Sequence, residues 1–189
     1  SSCGLSAAGC PRSSAKWPRS TLATNEPAEK EPMSKPLKPG DLAPEFDLPT
    51  AGGGRVSLAS LKGKRVVLYF YPKDDTPGCT REALDFTENA DDFAAARAVV
   101  VGVSRDSPAT HAKFAAKRGL KLILASDEDG KICARYGVWV EKSFYGRKCM
   151  GVERTTLLID KKGRIERLWR KVRVPGHVDE ILKEINAIA

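Results

Sequence analysis

Apolar residues along this chain gather into short runs separated by polar turns. Residues 65–71 (RVVLYFY) form an almost continuous apolar, β-branched and aromatic run. A run of that length and continuity predicts a central strand buried on both faces. Residues 99–103 (VVVGV) predict a second strand, 122–124 a short third and 155–159 (TTLLI) a fourth. A turn over 160–163 separates the fourth from 165–169, and the two read as a hairpin. Helical signals lie between and after these strands. Ser107 followed by Pro108 is a cap with proline at the first helical position, opening a helix over 109–118 that Gly119 stops. Val178, Ile181, Leu182, Ile185 and Ile188 follow helical spacing and predict an amphipathic helix near the C-terminus. Strands alternating with helices imply an α/β fold: a central mixed β-sheet flanked by helices.

This patterning begins near residue 37. A chain of 189 residues with 41% hydrophobic and 30% charged residues suits one globular domain over 33–189, large enough to fold without covalent staples. No apolar run approaches the ~20 residues that a membrane helix needs, so no membrane association is expected. Residues 1–32 are rich in Ser, Ala, Pro and Arg, without sustained periodicity, and are expected to be a disordered N-terminal extension. With Arg12, Lys16 and Arg19 and no acid in its first 24 residues, the segment resembles an organelle transit peptide. The reading favoured over a leader is an extension upstream of a natural start at Met33. A cytoplasmic location then follows, and Cys3 and Cys10 carry no function.

The net charge of +8 raises the question of a polyanion partner. The densest basic stretch, Lys161, Lys162, Arg164, Arg167, Arg170, Lys171 and Arg173, falls on a turn and an alternating strand, which marks a solvated face. No nucleic-acid-binding motif occurs, and no nucleic acid partner is expected. The five cysteines are Cys3, Cys10, Cys79, Cys133 and Cys149. The number is odd and no CxxC pair is present, which argues against a disulfide framework, a zinc ribbon or a thioredoxin-type dithiol. Single thiols acting in a reducing compartment fit better. No metal or organic cofactor is implied.

The chemistry concentrates in residues 71–82, YPKDDTPGCTRE, directly after the strongest strand. Loops at the carboxyl ends of such strands often carry catalytic residues. Thr76 suits an N-cap, Pro77 the first helical position, and Gly78 keeps bulk away from its neighbour. Cys79 therefore falls in the first turn of a helix, near the positive end of the dipole and its unpaired N–H groups. That setting favours a thiolate, the nucleophilic form of cysteine. The competing reading is a small buried hydrophobe. The polar flanks Gly78 and Thr80 favour a reactive Cys79, whereas Cys133, on the apolar side of a short helix, reads as core.

The segment FYPKDDTPGCT resembles the peroxiredoxin signature Pro-x-x-x-Thr-x-x-Cys, here Pro72, Thr76 and Cys79. The fuller form resembles the Q-type branch, the bacterioferritin comigratory proteins. PGDLAPEFDLP, VGVSRDS, LASDEDGKICARYGVW and EKSFYGRKCMGVERTTLLID extend the likeness over most of residues 37–189. The resemblance implies a thioredoxin-like fold and a thiol peroxidase acting on hydrogen peroxide and organic hydroperoxides. It makes Cys79 the peroxidatic cysteine, oxidised to a sulfenic acid. Thr76 would hydrogen-bond the thiolate and the bound peroxide, and Pro72 would shield the site from water. Arg154, in GVERTTLLID, matches the family's active-site arginine, and Glu82 is a weaker candidate for orienting it. Thioredoxin, glutaredoxin or a small thiol would be the reductant.

The sequence departs from its relatives at the resolving cysteine. The two positions where Q-type members carry one are Leu84 and Ala115. A one-cysteine enzyme is the first reading. Cys149, in a polar stretch, and Cys133 stay open as unusual resolvers, Cys149 the better of the two. An intermolecular disulfide and an engineered Ala115 also stay open. His111 and His177 sit in no nucleophile–base or metal constellation and read as surface or capping residues, which argues against a Cys-His protease. A non-enzymatic thioredoxin-fold peroxide sensor or binding module is the alternative from another class. A monomer or weak homodimer is expected.

Overall fold

The computed structural model of the protein describes residues 36–144 and 147–188. The expected extension over 1–32, with Cys3 and Cys10, lies outside the described residues. In chain order the elements begin with the strands β1 (Asp47–Pro49) and β2 (Arg55–Ser57), a 3-10 turn at Ala59–Leu61, and β3 (Arg65–Phe70). The helices α1 (Pro77–Glu88) and α2 (Ala90–Ala95), then β4 (Ala98–Ser104), α3 (Pro108–Arg118), β5 (Ile123–Ser126) and α4 (Lys131–Arg135) follow. The chain continues through β6 (Trp139–Phe144), β7 (Arg147–Val152), β8 (Thr155–Ile159) and β9 (Ile165–Arg170) to α5 (His177–Ile188).

Five strands form the central sheet in the order β5-β4-β3-β8-β9. β3 runs parallel to β4, β4 parallel to β5, and β8 antiparallel to both β3 and β9, so the sheet is mixed. Each apolar run predicted from the sequence is one of these strands, with boundaries shifted by at most two residues. The run over 65–71 ends as a strand at Phe70, although the Tyr71 amide still donates to the Val103 carbonyl at 3.1 Å. The β8–β9 turn closes on Asp160 Oδ1, which accepts from the Lys162 and Arg164 amides at 2.7 Å each.

Alternation along β3 divides the core in two. Val66, Leu68 and Phe70 face the side covered by the β1–β2 hairpin and α4, with Phe46, Leu48, Val56, Cys133 and Tyr136. Val67, Tyr69 and Tyr71 face the side covered by α1, α2, α3 and α5, with Cys79, Phe86, Phe93, Phe114, Ile181 and Ile185. Burying a large apolar side chain of this kind contributes roughly 1.5–3 kcal/mol. Both faces are therefore occupied, and this is why β3 and β8 lack a polar alternation.

Three elements did not stand out from the pattern: the β1–β2 hairpin, α2 and the β6–β7 hairpin. All three strand or helix segments are short or largely polar, and on β6 and β7 Glu141, Lys148, Cys149 and Met150 are exposed. The reading of the histidines is corrected. His111 and His177 are buried, not surface residues. His111 lies three residues before Phe114, so the two share the inner face of α3. The basic stretch from Lys161 to Arg173 is a solvated face: all seven of its lysines and arginines are exposed. Among the described residues no helix is long and apolar enough to cross a membrane.

Candidate active site

The carboxyl end of β3 hands over to α1 through residues 71–76. Thr76 takes the N-cap position with an extended backbone, and Pro77 follows as the first helical residue. Its side chain does not cap the helix: the hydroxyl donates instead to the Lys73 carbonyl at 3.1 Å. A hydroxyl has one proton, so the Thr76 oxygen is left facing its surroundings as an acceptor. The Thr76 carbonyl accepts from the Thr80 amide at 2.8 Å and closes the first turn around Cys79.

Cys79 lies in the first turn of α1, as the sequence predicts, but it is buried despite its polar flanks. Only 1% of its surface is exposed, and it packs with Tyr69, Tyr71 and Phe86. Across it, from the link between β7 and β8, Arg154 reaches in. Its Nη2 donates to Cys79 Sγ at 3.2 Å. Its Nη1 pairs with Oε2 of Glu82, one turn along α1 from Cys79. The planar fork of a guanidinium makes this double engagement possible, since two N–H groups point at two acceptors at once.

The surroundings tune these groups. Burial pushes the Glu82 carboxyl up to about 7, against the pull of Arg154. Burial works against the Arg154 charge, but Glu82 and Cys79 outweigh it and hold the guanidinium more firmly protonated than usual. Burial, then the Glu82 and Cys79 charges, push the Tyr69 phenol well above its ordinary range, so it remains a phenol. Its hydroxyl has no partner among the described residues. The Tyr69 ring lies against Gly102 on β4, where a Cβ would stand 2.6 Å from the hydroxyl. Burial lowers His177 and the nearby Arg154 charge lowers it further, with Glu180 opposing. His177 Nε2 shares a hydrogen bond with the Thr156 hydroxyl at 2.8 Å. In the sequence Tyr69 reads only as part of the apolar run over 65–71 and His177 only as a surface or capping residue, and no motif marks either as a neighbour of the site.

Gly78 leaves room for the Arg154 guanidinium. A Cβ at residue 78 would lie 3.3 Å from Arg154 Nη2. Gly78→Ala should therefore displace the guanidinium by a few tenths of an ångström while adding helix propensity of up to about 1 kcal/mol. The expected outcome is a several-fold slower oxidation of Cys79 with an unchanged or raised Tm, read by stopped-flow kinetics and thermal melting. An unchanged oxidation rate would mean that Arg154 tolerates the shift.

Pro72 is exposed, just past β3. Cys133 is fully buried, and its amide donates to Asp127 Oδ2 at 2.7 Å. Burial and the Asp127 charge raise its thiol far above the usual range. It belongs to the core on the opposite face of the sheet from Cys79. Cys149 is exposed on β7, opposite Lys142. Leu84 on α1 and Ala115 on α3 are half-buried. An open cavity of about 580 Å³ reaches Arg154 from outside, between Val140 and Lys142 on one side and Lys171 and Val172 on the other.

Comparison with known proteins gives one consistent result. Residues 39–168 match the AhpC/TSA family. The chain is 47% identical over 146 residues to peroxiredoxin Bcp of Bacillus subtilis, covering 77% of this chain and 93% of that one. To peroxiredoxin Bcp of Escherichia coli it is 44% identical over 147 residues, covering 78% and 94%. Its fold is similar to that of the Xanthomonas campestris bacterioferritin comigratory protein, described for its alkyl peroxide reduction activity. There the TM-score is 0.72 at 42% identity, over 75% of this chain and 90% of that one.

Proposed function

The chain belongs to the AhpC/TSA family, in its Q-type peroxiredoxin branch, and from that thiol peroxidase activity we propose that Cys79 reduces hydrogen peroxide and organic hydroperoxides by a one-cysteine cycle. The observation that carries this reading is the Arg154 Nη2 to Cys79 Sγ contact at 3.2 Å, in the first turn of α1. The amino end of α1 and the guanidinium both place positive charge beside the sulfur.

In the first step the Cys79 thiolate attacks one oxygen of the peroxide. The S–O bond forms as the O–O bond breaks, and the hydroperoxide proton ends on the departing oxygen. Water or an alcohol leaves, and Cys79 becomes a sulfenic acid after protonation. Arg154 faces both the sulfur and the oxygen on which charge develops, so its stabilisation grows toward the transition state. Thr76, with its proton committed to Lys73, accepts from the peroxide O–H and orients the attacked oxygen. Pro72 covers the entrance.

In the second step an external thiol attacks the sulfenic sulfur and water leaves. A second thiol then releases Cys79 from the mixed disulfide. Thioredoxin, glutaredoxin or a small thiol supplies these equivalents in the cytoplasm. Leu84 and Ala115 support the one-cysteine cycle, since neither can form a disulfide. The burial of Cys133 on the other face of the sheet speaks against it as a resolver, which leaves Cys149 as the internal candidate among the described residues.

Intact-mass spectrometry after one equivalent of hydrogen peroxide tests the cycle. The expected product gains one oxygen, or a sulfenic-acid trap, at Cys79. A loss of about two mass units, with Cys79 linked to Cys149, would replace the one-cysteine cycle with an internal disulfide.

A further inference from the structure

The loop that delivers Cys79 is clamped to α3 by two consecutive acids, and no step of the cycle above uses them. Asp74 is buried, and its carboxylate accepts from the Tyr71 hydroxyl at 2.7 Å. Its other oxygen lies 2.7 Å from His111 Nδ1, in a pair almost wholly shut off from solvent. Burial, Tyr69 and Asp74 hold the Tyr71 phenol well above its ordinary range, so Tyr71 is a donor in this network. The Asp74 amide donates to Asp106 Oδ2 at 2.8 Å, just ahead of α3. Asp75, left-handed at φ 54°, is gripped from the C-terminal turn of α3 by Lys117 Nζ at 2.5 Å and Arg118 Nη2 at 2.8 Å.

The imidazole is the telling part. His111 is fully buried, and its Nε2 has no hydrogen-bond partner among the described residues. An unpaired buried polar atom is a cost that an apolar side chain of similar size would avoid. What the ring supplies in return is its Nδ1 bond to Asp74, two residues before the cap of α1. Resting on the thiol peroxidase reading, we propose that His111 is a positioning residue. Through Asp74 it fixes residues 72–76, and with them the depth and orientation of the Cys79 sulfur against Arg154. α3 and the Cys79 turn are then one mechanical unit, with Asp75 and its two cations as the outer half of the clamp.

A loosened turn has two opposite effects. The sulfur loses its alignment with Arg154, and displacement on the ångström scale slows a reaction by roughly tenfold to a hundredfold. The same loosening exposes a sulfur that is now 1% accessible to bulkier reagents. The test is therefore a pair of rates on the full chain: Cys79 oxidation by hydrogen peroxide and Cys79 alkylation by iodoacetamide, alongside thermal melting. His111→Leu keeps apolar bulk and loses the donor; its oxidation should fall about tenfold or more while its alkylation rises several-fold. His111→Asn places an N–H where Nδ1 stood and should return both rates to within about threefold of wild type. A folded His111→Leu protein with both rates unchanged would reduce His111 to a packing residue. Should His111→Leu not fold, the exposed Lys117→Ala/Arg118→Ala variant decides, with the same two changes of about threefold expected and unchanged rates overturning the clamp. A wild-type protein whose Cys79 ignores peroxide would sink the peroxidase reading instead, and the alkylation rates would still judge the clamp.

Discussion

Cys79→Ser loses peroxide consumption to background, a fall on the order of 10³-fold or more, because a serine hydroxyl is not ionised near neutral pH and has no comparable nucleophilicity. The substitution is nearly isosteric, and Cys79 sits in a packed cluster with Tyr69, Tyr71 and Phe86, so the fold should persist. That separates loss of chemistry from loss of structure. The measurement is peroxide consumption with a thiol reductant present, beside far-ultraviolet circular dichroism of the same sample. Retained turnover in a folded Cys79→Ser protein would take the reaction away from Cys79 and direct attention to the exposed Cys149. Oxidation of wild-type Cys79 without turnover would favour a peroxide sensor over an enzyme.

Arg154→Lys should slow the oxidation step by about 10²- to 10³-fold, the usual effect of removing one well-placed donor to a developing oxyanion. Charge is retained in this variant, so the loss isolates geometry. A lysine ammonium is one point of charge and cannot hold Cys79 Sγ and Glu82 Oε2 through two directed N–H groups as the guanidinium does. Glu82 does not block the experiment. Arg154 accounts for both influences that lower its carboxyl, while burial and, to a lesser degree, the Asp85 charge drive it toward the neutral acid. The variant therefore need not keep a bare buried anion, which is the usual reason such a substitution unfolds a protein. Stopped-flow fluorescence of Trp139 or Trp169 offers the readout. A lysine variant oxidised at the wild-type rate would remove the guanidinium from the mechanism.

Glu82 links these two residues into one unit. It follows Cys79 by a single helical turn, so α1 presents Cys79 and the arginine's anchor on the same side. The sequence shows that spacing plainly. It does not show that Arg154, 75 residues away, closes the triangle. The family resemblance nominated Arg154, and the geometry that brings it there is the antiparallel pairing of β3 with β8, which sets Phe70 opposite Thr155. One step beyond those partners in each direction are Tyr71, which opens the Cys79 loop, and Arg154.

What the sequence determined by itself is local. Strand runs, the Ser107-Pro108 helix start, the Gly119 stop and the α5 stripe all depend on interactions within a few residues, so periodicity and turn chemistry reveal them. The signature around Cys79 is local for the same reason. Tertiary structure decided whatever depends on which surfaces meet. It buried Cys79 despite polar flanks, put Cys133 behind the sheet, left Cys149 in solvent and turned His111 inward onto Asp74. Burial is a property of a residue's neighbours across the sheet and the helix layers. A polar residue facing inward leaves no mark on a hydrophobic pattern, and its partner can stand anywhere in the chain.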